Sequence, residues 1–122
     1  MADPVVLTFD KFWHWLQGHP NCILAAGTPE AVIYDQDAFH WHFGKEGDTT
    51  LLVQVLHGKE LVGELLIPLG EITHVEGEAT SKDEFVFECL IEGGEGPVAA
   101  YHFTLSHGYD PEEPSPKGRW VH

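Results

Sequence analysis

Residues 38–57, AFHWHFGKEGDTTLLVQVLH, decide the fold class of this chain. Apolar and polar side chains alternate over residues 38–43, which predicts a strand with its aromatic residues on one face and His40 and His42 on the other. A glycine-containing turn signal follows, and residues 50–57 are apolar on both faces, which is typical of a central strand. The stretch therefore predicts two neighbouring strands of an antiparallel sheet.

Strand signals also run through most of the remaining sequence. Short runs of Val, Ile, Leu and aromatic residues alternate with Gly, Pro and Asp clusters, the pattern of an antiparallel meander. Residues 61–75 also fit a helical stripe, but Pro68 and Gly70 favour a strand, a turn and a second strand. The other predicted strands are residues 22–26, 31–35, 85–91 and 98–106, and a polar loop is predicted over residues 77–84.

One helix is predicted ahead of these strands, over residues 8–17. Its apolar stripe consists of Phe9, Phe12, Trp13 and Leu16. These positions lie on one face of a helix, with Trp15 on the edge of that face. Thr8 is the expected N-cap, and Gly18 supplies the stop signal.

Together these elements predict an α+β domain. We expect an N-terminal amphipathic helix packed on a bent, mostly meander antiparallel sheet of five to six strands, with the shape of a half-barrel. Residues 1–108 form this single domain, and residues 109–122, which contain three prolines, form a C-terminal tail. A chain of 122 residues buries enough surface to fold without disulfides or a structural metal.

The charge balance limits the classes of partner. Six Lys and Arg stand against twenty Asp and Glu, so the formal net charge is −14. Such a chain repels phosphate backbones and anionic headgroups, so we expect neither nucleic acid nor membrane binding. Cys22 and Cys89 lie in apolar neighbourhoods without metal-ligand spacing, and the N-terminus lacks a secretion signal. These features predict a cytoplasmic protein with two buried thiols.

The nine histidines are the compositional oddity of this chain. His40 and His42 project to the same side of a strand about 7 Å apart, a spacing from which two imidazoles can share one metal ion. Glu46 and His102 are the further candidate ligands, with His74 as an alternative to His102. The other interpretation is that these histidines face solvent while the aromatic residues between them face the core.

The order His40-x-His42-x-x-x-Glu46 resembles the first signature of the cupin family, and Pro68-x-Gly70 followed by His74 resembles the second. In that family two histidines and a glutamate bind a divalent metal inside a small β-barrel. The resemblance implies one divalent transition metal as cofactor and a concave interior that His40 and His42 face. If the chain lacks the metal site that this resemblance implies, no cofactor is expected.

The residues show no constellation for nucleophilic catalysis. Cys22 is close to His19 in sequence, but a proline-containing turn separates them and no oxyanion device is visible. The chain is therefore expected to be non-enzymatic.

A single helix cannot cover both faces of such a sheet, so apolar surface is left for the tail, a second copy or another protein. The candidate surface residues are Trp15, Trp41, Tyr101 and Trp120. The expected function is a small acidic protein-interaction module of adaptor, chaperone-like or inhibitor and immunity type. It would bind a protein partner or itself, with a homodimer as one form. The alternative is the cupin-like metal-binding barrel.

Overall fold

The computed structural model describes residues 4–109 of the chain, which are mostly β-structure with one short helix. Helix α1 spans Phe9–Gln17 and a 3₁₀ turn spans Pro20–Cys22. The strands are β1 Val5–Leu7, β2 Ile23–Thr28, β3 Ala31–Tyr34, β4 Phe39–Glu46, β5 Thr50–His57, β6 Glu60–Pro68, β7 Ile72–Ser81, β8 Glu84–Gly93 and β9 Gly96–Leu105. Among the described residues, no helix has the length and apolarity needed to cross a bilayer.

The strands form two antiparallel sheets, which do not close into a barrel. One sheet has the order β1-β7-β8-β9-β2-β3, and the other has the order β4-β5-β6. The predicted interior positions of β5 and β8 are confirmed, but a single sheet of five to six strands is wrong. The second sheet forms a separate layer because this arrangement lets its apolar inner face share one core with the first.

Helix α1 packs its apolar side into that core. Phe12 is completely buried, with its ring centroid 5.0 Å from that of Phe87 and 5.6 Å from that of Phe103. Thr8 caps the helix as predicted, because its side-chain oxygen accepts a hydrogen bond from the backbone N–H of Lys11 at 3.2 Å.

The two helix tryptophans exchange their predicted places. Trp15 is buried, with its ring 5.4 Å from Phe87, whereas Trp13 is only partly buried. Trp13 lies at the margin of the core, edge-on to Phe43 at 5.5 Å. The helix therefore turns more of its surface toward β8 than the stripe in its sequence indicates.

The ambiguous stretch after β5 is two strands separated by a turn at residues 69–71, as predicted. The prediction of a polar loop over residues 77–84 is wrong, because β7 continues to Ser81 and only residues 82–83 form the turn. Gly77 is part of the strand and pairs with Phe87, and a Cβ atom at this position would come within 2.6 Å of the Phe87 ring. The aromatic ring thus occupies the space that a side chain on β7 would need.

Candidate functional site

The three-stranded sheet turns one face toward the core and the opposite face toward solvent. Val53, Val55 and Ile67 are buried on the inner side. Because side chains alternate along a strand, the neighbours of these residues point outward. We call this second surface the outer face. It comprises His40 and His42 of β4, Leu52, Gln54 and Leu56 of β5, and Leu61, Val62, Glu64 and Leu66 of β6.

The outer face contains two apolar regions with a polar row between them. At one end, Leu52 pairs with Leu66 across the sheet. At the other end, Leu56 pairs with Leu61, next to a register shift in β6. The polar row contains His42, Gln54 and Glu64 in adjacent positions. The Gln54 amide donates a hydrogen bond to the Glu64 carboxylate at 2.7 Å, which fixes the centre of the face.

The apolar side chains of this face are open to solvent. Leu61 is 52% exposed, Val62 46% and Leu66 48%. Leu52 and Leu56 beside them are partly buried. Large hydrophobic side chains that remain exposed together on one surface typically mark a contact site.

The predicted metal ligands do not come together. His40 and His42 share a face as expected, but both are exposed on the outer face, while Trp41 between them points inward. His102 belongs to the other sheet, where it pairs with Gly27 and Glu88, and Glu46 lies at the far end of β4. Within residues 4–109, no group of three or more His, Cys, Asp or Glu side chains is placed to hold a metal ion.

His74, the alternative ligand, is engaged elsewhere. Its Nε2 lies 3.0 Å from the Glu76 carboxylate on the same strand, and its Nδ1 lies 3.0 Å from the Thr73 hydroxyl. The interior concavity implied by the cupin resemblance is therefore not formed by these residues, and the ordinary arrangement with aromatic residues inward is the observed one.

The four predicted surface aromatic residues do not form one surface. Trp15 is 8% exposed, and its indole nitrogen is buried with no hydrogen-bond partner among the described residues. Trp41 is partly buried and donates from its indole N–H to Asp35 at 2.9 Å. Tyr101 lies on the other sheet, partly buried, and burial raises its pKa. Trp120 lies outside the described residues.

The sequence contains one signal for the outer face. Residues 50–57 are apolar on both faces, which predicts a central strand, and β5 is the central strand of its sheet. In the structure Val53 is buried, while Leu52 next to it remains partly exposed. The two-sided pattern therefore marks a strand with one core face and one uncovered apolar face.

A second cluster, which sequence reasoning missed, joins the start of β2 to the end of β9. The Cys22 Sγ atom lies 3.1 Å from His107 Nε2, although the two residues are 85 positions apart in sequence. The His107 ring packs edge-on against those of Trp15 and His19, with centroids 5.7 and 5.2 Å away. Cys22 is thus partly exposed rather than buried as predicted, because it precedes the strand instead of lying within it.

His107 also forms part of the wall of a cavity of about 690 Å³. The β7–β8 hairpin supplies other lining residues, including Lys82 in the turn and Phe85 near the start of β8. Tyr109, the last described residue, completes the lining. The imidazole of His107 therefore links this cavity with Cys22.

Comparison of the chain with protein-family models, with curated proteins and with solved structures found no match.

Proposed function

We propose that this protein is an interaction module whose outer face binds a partner protein that carries apolar side chains with basic side chains beside them. The observation that carries the proposal is the pair of apolar regions on the outer face, with Leu61 and Leu66 about half exposed. Interfaces bury exposed apolar side chains of this kind together with adjacent polar contacts. The hydrogen-bonded Gln54 and Glu64 between the two regions supply a fixed polar contact.

The charge of the chain selects the kind of partner. A formal charge of −14 repels a second copy of the same chain and attracts a basic surface. Acidic residues also accompany the outer face itself, with Glu64 in its centre and Glu60 at the start of β6. A partner with Lys and Arg around an apolar patch is the complement of this surface.

We assign this module to the adaptor or inhibitor type and to the cytoplasm. Cys22 and Cys89 are both free thiols, which supports a reducing compartment. Inhibitors and adaptors act by occupying a partner surface, so a rigid, preformed face on a β-sheet suits them.

The proposal is tested by photo-crosslinking in the source cells. A photoreactive phenylalanine analogue replaces Leu66 in one variant and Val98 in another. The two residues are equally exposed, at 48%, but Val98 lies on the other sheet. We expect a specific crosslinked protein with a basic contact surface from position 66 only.

The captured protein is then purified, and its affinity for the wild type is compared with its affinity for a Leu61→Gln, Leu66→Gln double variant. We expect at least a tenfold loss of affinity, about 1.4 kcal/mol for the two substitutions together, because two apolar contacts are replaced by amides that must lose water on binding. Equal crosslinking from both positions, or an acidic partner surface, would contradict the proposal. If the only crosslinks form between copies of this chain, the proposed basic partner is wrong and the outer face is the interface of a homodimer.

A further inference from the structure

The antiparallel pairing of β2 with β9 builds a Cys–His pair at its open end. Ile23 pairs with Leu105 at the last position of the ladder. One residue further, the backbone N–H of Ser106 donates to the Cys22 carbonyl at 2.9 Å. This hydrogen bond continues the strand contact and holds His107 beside Cys22.

The hydrogen bonds of His107 determine which of its nitrogens carries the proton. Its Nδ1 lies 3.0 Å from the Gly108 carbonyl oxygen, which can only accept a hydrogen bond. The proton of the neutral imidazole is therefore on Nδ1, and Nε2 is left as an acceptor. Nε2 faces the Cys22 Sγ atom at 3.1 Å, so the thiol donates its proton toward the ring.

This arrangement has the three parts of an activated nucleophile. Cys22 supplies the sulfur, His107 supplies a base within hydrogen-bond reach, and the Gly108 carbonyl orients the base. Cys22 is also partly open to solvent, which a reaction with an external molecule requires. Cys89 is not accessible to an external molecule, because it is completely buried.

We propose that Cys22 is a reactive thiol that exchanges with low-molecular-weight disulfides, with His107 as its base. His107 Nε2 takes the thiol proton, and the Cys22 thiolate attacks one sulfur of the disulfide. A mixed disulfide forms on Cys22 as the original sulfur–sulfur bond breaks. The departing thiolate recovers the proton from the imidazolium of His107, so the exchange needs no other oxidant or reductant.

The test measures the second-order rate of the full chain with 4,4′-dithiodipyridine, an uncharged disulfide whose released thione absorbs light. At pH 7 an unassisted thiol is only a few per cent ionised, so we expect His107→Gln to react about tenfold more slowly than the wild type. Cys22→Ser is expected to lose the rapid reaction of the folded protein with this disulfide, whereas Cys89→Ala is expected to keep it. His74→Gln, the same substitution at a partly exposed site on β7, is expected to retain the wild-type rate.

A pH series separates the chemical role of His107 from a structural one. Above about pH 9.5 a thiol ionises without help, so the rates of His107→Gln and the wild type are expected to converge. A loosened fold would instead expose Cys22 and make the variant react faster. Equal rates at pH 7, a constant ratio at all pH values, or a Cys22 rate no higher than that of free glutathione would overturn the proposal. Mass spectrometry after incubation with glutathione disulfide identifies the modified residue.

Discussion

The side chain of Ile33 on β3 lies against the backbone of Gly63 on β6, where a Cβ atom would be only 2.5 Å from Ile33 Cδ1. The contact joins the edge strands of the two sheets. Gly63 pairs with Val55 of the neighbouring strand β5. Because Val55 is buried, the position of Gly63 belongs to the inner side of the three-stranded sheet. The close approach of the two layers at this point therefore depends on the absence of a side chain at residue 63.

Replacement of Gly63 by alanine is expected to destabilise the protein by about 1 kcal/mol, the low end of the cost of overpacking, because the Ile33 methyl group that it meets ends a flexible, partly exposed side chain. Urea denaturation monitored by tryptophan fluorescence measures this change. In an Ile33→Ala background the space is empty, so the same substitution is expected to be neutral or stabilising, because alanine reduces the entropy of the unfolded chain. An equal loss in both backgrounds would show that the Ile33 contact does not cause the effect.

Phe12 is expected to be the most costly position of helix α1 to truncate. It is completely buried against the rings of Phe87 and Phe103. Phe12→Ala therefore loses the free energy gained by burying the aromatic ring and leaves a cavity in the core. We expect a loss of about 3–5 kcal/mol in the free energy of unfolding. His14→Ala on the exposed side of the same helix is the control and is expected to change it by less than about 0.5 kcal/mol. Similar losses for both variants would contradict the assigned packing of the helix.

Features set by local sequence were predicted well. The Thr8 cap and the bounds of β5 at Thr50 and His57 follow from capping chemistry and from hydrophobic periodicity within a few residues. The sequence pattern also placed His40 and His42 on one face, as observed. Each of these predictions needs only the neighbours of a residue along the chain.

Features set by contacts distant in sequence were not predicted. The division into two sheets depends on which strands pair, and local alternation is the same in either arrangement. The pairing of β1 with β7 is carried by only three residues, too few for a periodic signal. Likewise, Cys22 and His107 come together only through the pairing of β2 with β9.

Cys89 gives the protein a specific sensitivity to alkaline pH. Burial raises the pKa of its thiol from the ordinary value of 9.0 to about 12. The folded state therefore retains a proton that the unfolded chain has released. Stability from the protonated thiol is complete below pH 9.0 and is lost as the pH rises from 9.0 toward about 12, up to about 4 kcal/mol in total.

The measurement is the free energy of unfolding by urea at several pH values between 8 and 11. Cys89→Ala is expected to be less stable than the wild type at pH 8 and to lose less stability as the pH rises. Cys22→Ala, which keeps the buried thiol, is expected to follow the wild-type slope. Parallel curves for Cys89→Ala and the wild type above pH 9 would show that this thiol does not contribute to the alkaline loss.

Self-association through the outer face is expected to increase as the pH falls. Protonation of all nine histidines would change the formal net charge from −14 to −5, which weakens repulsion between copies. Sedimentation velocity at constant ionic strength is expected to show more dimer at pH 5.5 than at pH 7.5. Binding of a basic partner is expected to change in the opposite direction, because the attraction falls with the same charge.

The variants of the outer face distinguish specific association from general loss of solubility. Leu61→Gln with Leu66→Gln is expected to abolish the dimer at pH 5.5, whereas Val98→Gln, at an equally exposed site on the other sheet, is expected to retain it. Added salt at pH 7.5 screens the same repulsion and is expected to raise the dimer fraction in the wild type. An unchanged dimer fraction between pH 7.5 and 5.5 would show that charge does not control association. Equal loss in both variants would show that the outer face does not mediate it.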